Sequence, residues 1–157
     1  MQKHSVKNHK RIQAFEAACR RRGVPLTVRR RAVLEALLER HDHPTAEQIY
    51  TAVAARLPGL SRTTVYRVLE TLVEAGVAGK ASHPGAASRF DPVTERHHHL
   101  ACVGCDKLID LQAPSLDRLT LPRPRGFRVL DYTIQFKGLC AACRRSGGRA
   151  WRTTPIK

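Results

Sequence analysis

The sequence predicts an α+β protein, in which an N-terminal winged helix-turn-helix domain precedes a small α/β domain. Three observations predict this fold. Apolar residues recur at helical spacing through the first half, short strand-like segments between Pro and Gly turns follow, and the second half carries two C-x-x-C pairs. We place the first domain at residues 1–90 and the second at 91–144. Residues 145–157 are a basic tail that we expect to be disordered.

Four helices are predicted in the first half. The first covers Ile12 to Arg22, and the other three begin after Thr27, Thr45 and Ser61. Each of these hydroxyl residues is a suitable N-cap, because its side-chain oxygen accepts a hydrogen bond from a free amide of the first turn. The fourth helix ends at Gly76.

The second half is predicted to contain strands. Residues 77–80 and 88–91 flank the turn His83-Pro84-Gly85 and form the two-stranded wing expected after a helix-turn-helix. In the second domain we predict strands at 97–102, 107–111 and 128–136, and a helix at 114–121.

The composition limits the class of protein. The 157 residues include 28 Lys+Arg and 13 Asp+Glu, a net charge of +15, which favours an anionic partner: nucleic acid first, a membrane surface second. No apolar run reaches the roughly 18 residues of a membrane span, and no apolar stretch follows the basic N-terminus, so we expect no secretory signal. The predicted location is a reducing cytoplasm, and a secreted disulfide scaffold is disfavoured.

The cysteines separate into four and one. Cys102 and Cys105 form one C-x-x-C pair, and Cys140 and Cys143 form another. Two such pairs complete a tetrahedron of thiolates that suits zinc, with Zn–S distances of about 2.3 Å. The alternatives are two separate redox pairs or buried apolar cysteines. Cys19 lies on the apolar face of the first helix and is predicted to be a core residue.

Imidazoles and carboxylates form a second candidate site. Asp91 precedes the run His97–His99, Asp110 follows the first cysteine pair, and His43 lies upstream beside Pro44. On a strand, His97 and His99 share a face and His98 lies on the other. Such a mixed set suits iron, manganese or zinc and binds more weakly than four thiolates. The alternative is a solvated histidine cluster.

Together these motifs resemble the ferric uptake regulator (Fur) family of bacterial metal-dependent repressors. The resemblance runs from about residue 14 to 144, and the matching segments are 26–27, 31–35, 43–50, 61–69, 88–91, 97–105, 107–110 and 138–140. It implies a homodimer that binds double-stranded operator DNA, with no small-molecule substrate, no membrane partner and no enzymatic activity.

The resemblance also assigns residues to three sites. A structural zinc would be held by Cys102, Cys105, Cys140 and Cys143. The regulatory ion, iron or manganese with zinc as the alternative, would be held by His43, Asp91, His97, His99 and Asp110. The fourth helix would be the recognition helix and would contact DNA through Arg62, Thr63, Thr64, Tyr66 and Arg67. On its pattern alone this helix is equally an ordinary amphipathic surface helix.

One residue suggests the subtype. Peroxide-sensing (PerR-like) members of the family typically carry Asp at position 91, whereas iron and zinc sensors more often carry Glu. The resemblance therefore implies a peroxide sensor, in which bound ferrous iron reacts with hydrogen peroxide and His43 or His97 is oxidised. The alternative within the family is an iron or zinc uptake regulator.

Two positions depart from the family pattern. Asp106 stands where the family usually has Gly, so we expect a strained or left-handed backbone there. Arg96 and Tyr132 replace histidines of a further metal site found in some iron sensors, so no third site of that type is predicted.

Two other protein classes compete with this interpretation. A thiol redox protein would need an exposed thiolate of low pKa. A general nucleic-acid-coating protein would need stacking platforms, and the aromatic content of 5% argues against them.

Overall fold

The computed structural model describes residues 2–81, 86–95, 97–116, 118–130, 132 and 134–146, with side chains from residue 11 onward. Its elements are α1 (Gln2–Arg21), α2 (Val28–Leu38), α3 (Ala46–Ala54), α4 (Arg62–Glu74), β1 (Gly79–Ala81), β2 (Arg89–Asp91), β3 (His98–Cys102), β4 (Leu108–Leu111), β5 (Gln135–Gly138) and α5 (Ala141–Arg145). The chain divides into two compact units, Met1–Thr94 and Glu95–Lys157. The division falls after Thr94 and not after residue 90, so Asp91 belongs to the first unit.

The three predicted N-caps are confirmed. Thr27 accepts a hydrogen bond from the amide of Arg30 at 3.3 Å, and Ser61 accepts one from Thr64 at 3.1 Å. Thr45 forms a reciprocal capping box with Gln48, with bonds of 2.9 and 3.3 Å. Helix α1 begins at Gln2, ten residues before the predicted start at Ile12.

The core of the first unit is built from the predicted apolar faces. Residues of α2, α3 and α4 that are fully or almost fully buried include Val33, Leu34, Leu37, Ile49, Val53, Val65, Leu69 and Leu72. Phe90 of β2 joins the same cluster at 1% exposure. Cys19 is completely buried among these residues, which confirms its prediction as a core residue.

The wing of the first unit is an antiparallel pair of short strands. Gly79 of β1 lies opposite Asp91 of β2, and Ala81 lies opposite Arg89. The predicted turn at 83–85 lies outside the described residues. An isolated bridge between Thr45 and Arg89 connects this wing to the segment before α3.

The second unit contains a three-stranded sheet of order β4-β3-β5. The central strand β3 is antiparallel to β4 and parallel to β5. The register sets His99 opposite Asp110 and Cys102 opposite Gly138. The sheet thus brings the second cysteine pair, which follows β5, to the end of β3 that carries the first pair.

Two predictions in the second unit were wrong. The strand predicted at 128–136 begins only at Gln135, and the described residues before it are irregular, with Leu130 79% exposed. The described part of 114–121 forms turns and no helix, because so short a segment needs tertiary packing and Leu119 is 46% exposed. Helix α5 (Ala141–Arg145) was not predicted, and it reaches the first residue of the predicted tail. Residues 147–157 lie outside the described part of the chain.

Within the described residues, no helix is both long enough and apolar enough to cross a membrane.

Candidate metal centres and nucleic-acid interface

The four cysteines of the second unit form one cluster. Cys102 ends β3 and Cys105 lies in the following turn, while Cys140 is the N-cap of α5 and Cys143 lies in that helix. Their Sγ atoms all lie within 4.8 Å of one another. The Sγ atoms of Cys105 and Cys140 are 3.8 Å apart, which matches the edge of about 3.8 Å expected for a tetrahedron with Zn–S bonds of about 2.3 Å. The cluster predicted from the spacing is therefore present.

The backbone around the four-cysteine cluster supports its sulfurs. The amide of Cys140 donates to Cys102 Sγ at 3.3 Å, and that of Cys143 donates to Cys140 Sγ at 3.5 Å. Asp106 has a φ of 56°, which confirms the expected left-handed backbone. A Cβ on Gly104 would lie 3.0 Å from both Cβ and Sγ of Cys143, so only glycine fits without a shift at this position.

The charges of the four-cysteine cluster require a cation. Burial of Cys102 raises its pKa, but the amides of Cys140 and Gly104 outweigh this effect and lower it to about 6. The pKa of Cys143 is raised to about 12, mainly by the side chains of Cys140 and Cys105. Four crowded sulfurs cannot all lose their protons without a positive charge between them. A divalent ion that binds thiolates supplies this charge, so the donor set fits zinc.

The first unit holds one imidazole and one carboxylate in contact. His43 Nε2 lies 3.3 Å from Asp91 Oδ2, and both side chains are only 4% exposed. His43 has a φ of 50°, a left-handed conformation that histidine adopts more readily than most residues. Its carbonyl accepts a hydrogen bond of 2.9 Å from the Arg89 guanidinium. Asp91 Oδ1 accepts the amide of Val93 at 2.7 Å, so both side chains are held on β2 and the segment beside it.

The second unit holds two imidazoles and one carboxylate in contact. His97 Nε2 and His99 Nε2 are 3.0 Å apart, and they lie 3.4 and 3.8 Å from Asp110 Oδ1. His97 Nδ1 is 2.8 Å from the carbonyl of Glu95, which can only accept, so Nδ1 donates to it and Nε2 is the ring nitrogen that faces His99 and Asp110. The 3.0 Å separation equals that of neighbouring nitrogen ligands at right angles on an ion about 2.1 Å away.

These contacts agree with the predicted faces of the histidine run. His97 and His99 lie together, whereas His98 is 1% exposed on the opposite face of β3. Both groups, the His43–Asp91 pair and the His97–His99–Asp110 group, combine nitrogen and oxygen donors. This combination fits first-row divalent ions. Of the two residues that replace family histidines, Arg96 lies outside the described residues, and the hydroxyl of Tyr132 donates to the carbonyl of Leu116.

The predicted recognition helix α4 presents most of its candidate residues to solvent. Arg62, Thr63, Tyr66 and Arg67 are exposed. Thr64 is half-buried, and its hydroxyl lies 2.9 Å from Ser61 Oγ, so it also belongs to the helix cap. The apolar face of α4 is turned into the core through Val65, Val68, Leu69 and Leu72.

Two neighbours of this helix were missed by the sequence interpretation. Arg62 Nε lies 2.9 and 3.0 Å from the two carboxylate oxygens of Glu47 in α3, and the guanidinium lies 4.8 Å from the centre of the Tyr50 ring. The hydrogen bond to Glu47 raises the pKa of Arg62, which stays fully charged. No local signal reveals these contacts, because the partners belong to different helices.

A winged helix-turn-helix unit followed by a zinc-type cysteine cluster defines a class of metal-responsive regulators. The ferric uptake regulator family model matches residues 21–137, and the chain belongs to this family. It is 32% identical over 133 residues to the peroxide-responsive repressor PerR of Staphylococcus epidermidis, covering 83% of this chain and 89% of the relative. It is 36% identical over 125 residues to the peroxide operon regulator of Bacillus subtilis, covering 78% of this chain and 86% of the relative.

Solved structures agree with this assignment. A zinc-bound manganese uptake regulator is 27% identical and covers 80% of this chain and 98% of its own, with a TM-score of 0.63. The ferric uptake regulator Fur of Helicobacter pylori has a TM-score of 0.69 over 87% of this chain and 93% of its own, and at 17% identity it supports the fold alone. The predicted family and the predicted α+β fold class are both confirmed.

Proposed function

We propose that this member of the Fur family is a metal-dependent DNA-binding transcriptional repressor that responds to peroxide. The observation that carries the proposal is the buried contact between His43 and Asp91, an imidazole beside the carboxylate type found in peroxide sensors. The likeness to two peroxide regulators at 32% and 36% identity supports the same subtype. The protein acts in the cytoplasm as a regulator and not as an enzyme.

Two metal ions serve different purposes in this proposal. The four-cysteine cluster holds a structural zinc. His43, Asp91, His97, His99 and Asp110 together hold a regulatory iron or manganese ion. Ferrous iron held by these residues would supply the redox chemistry that activates hydrogen peroxide. In the net reaction a ligand imidazole loses two electrons and gains one oxygen atom of the peroxide, and the other oxygen atom leaves as water. An oxidised ring at His43 or His97 no longer offers the same lone pair, and affinity for the metal falls.

The DNA-binding surface is the exposed face of α4. Arg62, Thr63, Thr64, Tyr66 and Arg67 contact base edges and phosphates, as expected of the N-terminal part of a recognition helix. A homodimer applies two such helices to a palindromic operator. Large apolar side chains exposed in the second unit support self-association there: Ile109, Leu119, Phe127, Leu130 and Phe136.

The first unit connects its metal ligands to its DNA-binding helices through a short path. His43 is followed by Pro44, whose carbonyl accepts the amide of Phe90 at 2.9 Å, and by Thr45, the N-cap of α3. A metal ion that fixes His43 against Asp91 therefore also fixes the start of α3. The bound state is preorganised for DNA, so metal and DNA raise each other's affinity.

The test compares the iron-loaded and manganese-loaded protein before and after addition of hydrogen peroxide. We expect the iron form to lose operator affinity and to gain about 16 Da, the mass of one oxygen atom, on a peptide containing His43 or His97. The manganese form should keep both its mass and its DNA affinity. His41→Ala is the matched control, because His41 is exposed and lies two residues from His43. It should leave the response to peroxide unchanged.

The second candidate is a metal uptake regulator without oxidation chemistry. The 27% identity to a manganese uptake regulator favours it. An iron form that keeps its mass and its operator affinity in peroxide would contradict the peroxide sensor and support this candidate. Operator affinity measured with iron, manganese and zinc in turn then identifies the activating metal.

A further inference from the structure

We propose that Glu47 and Tyr50 of α3 are positioning residues that aim Arg62 at a guanine in the operator. The inference rests on the proposed DNA-binding function and adds a specificity determinant to it. Neither side chain belongs to the recognition helix, and neither was a candidate from the sequence.

The contacts constrain the Arg62 side chain on two sides. Arg62 Nε donates to both carboxylate oxygens of Glu47, at 2.9 and 3.0 Å. On another side, the guanidinium carbon of Arg62 lies 4.8 Å from the centre of the Tyr50 ring. A long, flexible side chain is thereby limited to a narrow range of rotamers before DNA arrives. Preorganisation of this kind raises affinity because less freedom is lost on binding.

Glu47 contacts the Nε edge of the Arg62 guanidinium, and this determines which of its nitrogen atoms remain available to DNA. Among the described residues, the hydrogen bonds of Arg62 to Glu47 are made through Nε, and the side chain is 64% exposed. The two terminal nitrogens, Nη1 and Nη2, form a second planar pair of donors. Such a pair matches O6 and N7 of guanine in the major groove, the commonest base-specific contact of arginine.

The backbone that carries Glu47 belongs to a well-capped helix start. Glu47 lies in the first turn of α3, between the capping-box residues Thr45 and Gln48. A carboxylate at this position is also favoured by the partial positive charge of the helix N-terminus. The backbone of Glu47 is therefore fixed by its own helix, and its carboxylate reaches Arg62 from a defined position.

The Glu47–Arg62 pair is too exposed to be explained by stability. The two side chains are 51% and 64% exposed, and ion pairs of this kind contribute little to folding. An acidic group near the phosphates also opposes DNA binding in general. We therefore infer that Glu47 acts by orienting the Arg62 side chain. The measurement that tests this is the preference for one base pair over another, and not the overall affinity for DNA.

The experiment uses the full-length, metal-loaded protein. An operator duplex is first selected from random DNA with the wild type, and each base pair of one half is then replaced in turn. For Glu47→Ala we expect the preference for one G·C pair to fall about three- to tenfold, a part of the discrimination that a bidentate arginine gives. Glu47→Gln keeps one neutral acceptor and should give a smaller loss. Tyr50→Leu should weaken the preference at the same base pair.

Two further variants complete the design. Arg62→Ala should abolish the preference at that base pair. The double variant Arg62→Ala/Glu47→Ala should show the same base preferences as Arg62→Ala alone. Glu39→Gln is the matched control. It weakens a similar exposed pair, in which Arg56 donates to Glu39 at 2.8 and 2.6 Å, and it should leave every base preference within about twofold of the wild type.

The outcomes separate this inference from the function on which it rests. A Glu47→Ala protein that binds all duplexes more tightly, with unchanged preferences, would show that Glu47 only neutralises Arg62 and would overturn the inference. Unchanged binding would overturn it as well. If the wild type selects no duplex at all, the proposed DNA-binding function fails, and the inference fails with it.

Discussion

Removal of the metal from the four-cysteine cluster should unfold the second unit and leave the first unit folded. The perturbation is a strong chelator or the substitution Cys140→Ser, which takes one thiolate from the cluster. Cys140 is the most informative cysteine to replace, because its sulfur contacts Cys105 at 3.8 Å and it also caps α5. The first unit contains none of the four cysteines, so its fold should not depend on this ion.

The magnitude follows from the small apolar core of the second unit. Among the described residues, its buried hydrophobic side chains are those of Ala101, Cys102 and Leu108. Leu108 contributes about 1.5–3 kcal/mol by burial, and the two smaller side chains contribute less. A structural zinc ion contributes about 10–16 kcal/mol in comparable small domains. The ion therefore stabilises the second unit more than its apolar contacts do, and these contacts cannot compensate for its loss.

The assay is amide hydrogen exchange followed by mass spectrometry of peptides. After chelation we expect β3 and β4 to lose protection while α2, α3 and α4 keep theirs. Cys19→Ala is the control, since Cys19 lies in the core of the first unit and its replacement should leave the zinc content unchanged. If metal analysis finds no zinc and β3 is still protected, the reasoning is refuted.

Two further predictions concern the cysteines and the turn that carries the first pair. In the native metal-loaded protein we expect no cysteine to react rapidly with a thiol reagent, and four to react after chelation. Cys19 should react only on denaturation, because burial raises the pKa of its thiol despite the opposing charges of Arg22 and Arg30; a fast-reacting native thiol would contradict this. Gly104→Ala should weaken zinc binding by about tenfold or more, since the added Cβ meets Cys143 at 3.0 Å. Competition with a coloured chelator measures the affinity for zinc. A Gly104→Ala protein that binds zinc as tightly as the wild type would contradict the prediction.

The sequence predicted the elements whose causes are local. A hydroxyl side chain caps the helix that directly follows it, and apolar residues at helical spacing define the buried face, so α2, α3 and α4 were predicted well. The segment 114–121 was also predicted to be a helix, but its described residues form turns and Leu119 is 46% exposed. Helix formation there depends on tertiary contacts, and periodicity alone does not reveal whether these contacts exist.

The candidate sites were predictable to different degrees. The spacing of the cysteines alone indicated the cluster, because two residues between thiolates restrict where both sulfurs can lie. The contact between His43 and Asp91 joins residues far apart in the chain, and only the family resemblance suggested it. The contact of Arg62 with Glu47 across two helices had no such support, since it depends on how α3 packs beside α4.

Helix α3 connects the two sites of the proposed function in the first unit. Its N-cap follows directly after the His43–Pro44 segment, which hydrogen bonds from Arg89 and Phe90 attach to β2. Its first turn carries Glu47, which contacts Arg62, the first residue of α4. Under the proposed function, metal binding at His43 and base reading at Arg62 depend on the same short stretch of backbone. A shift of that stretch would disturb both, which is the physical requirement for a repressor whose affinity for DNA depends on its metal.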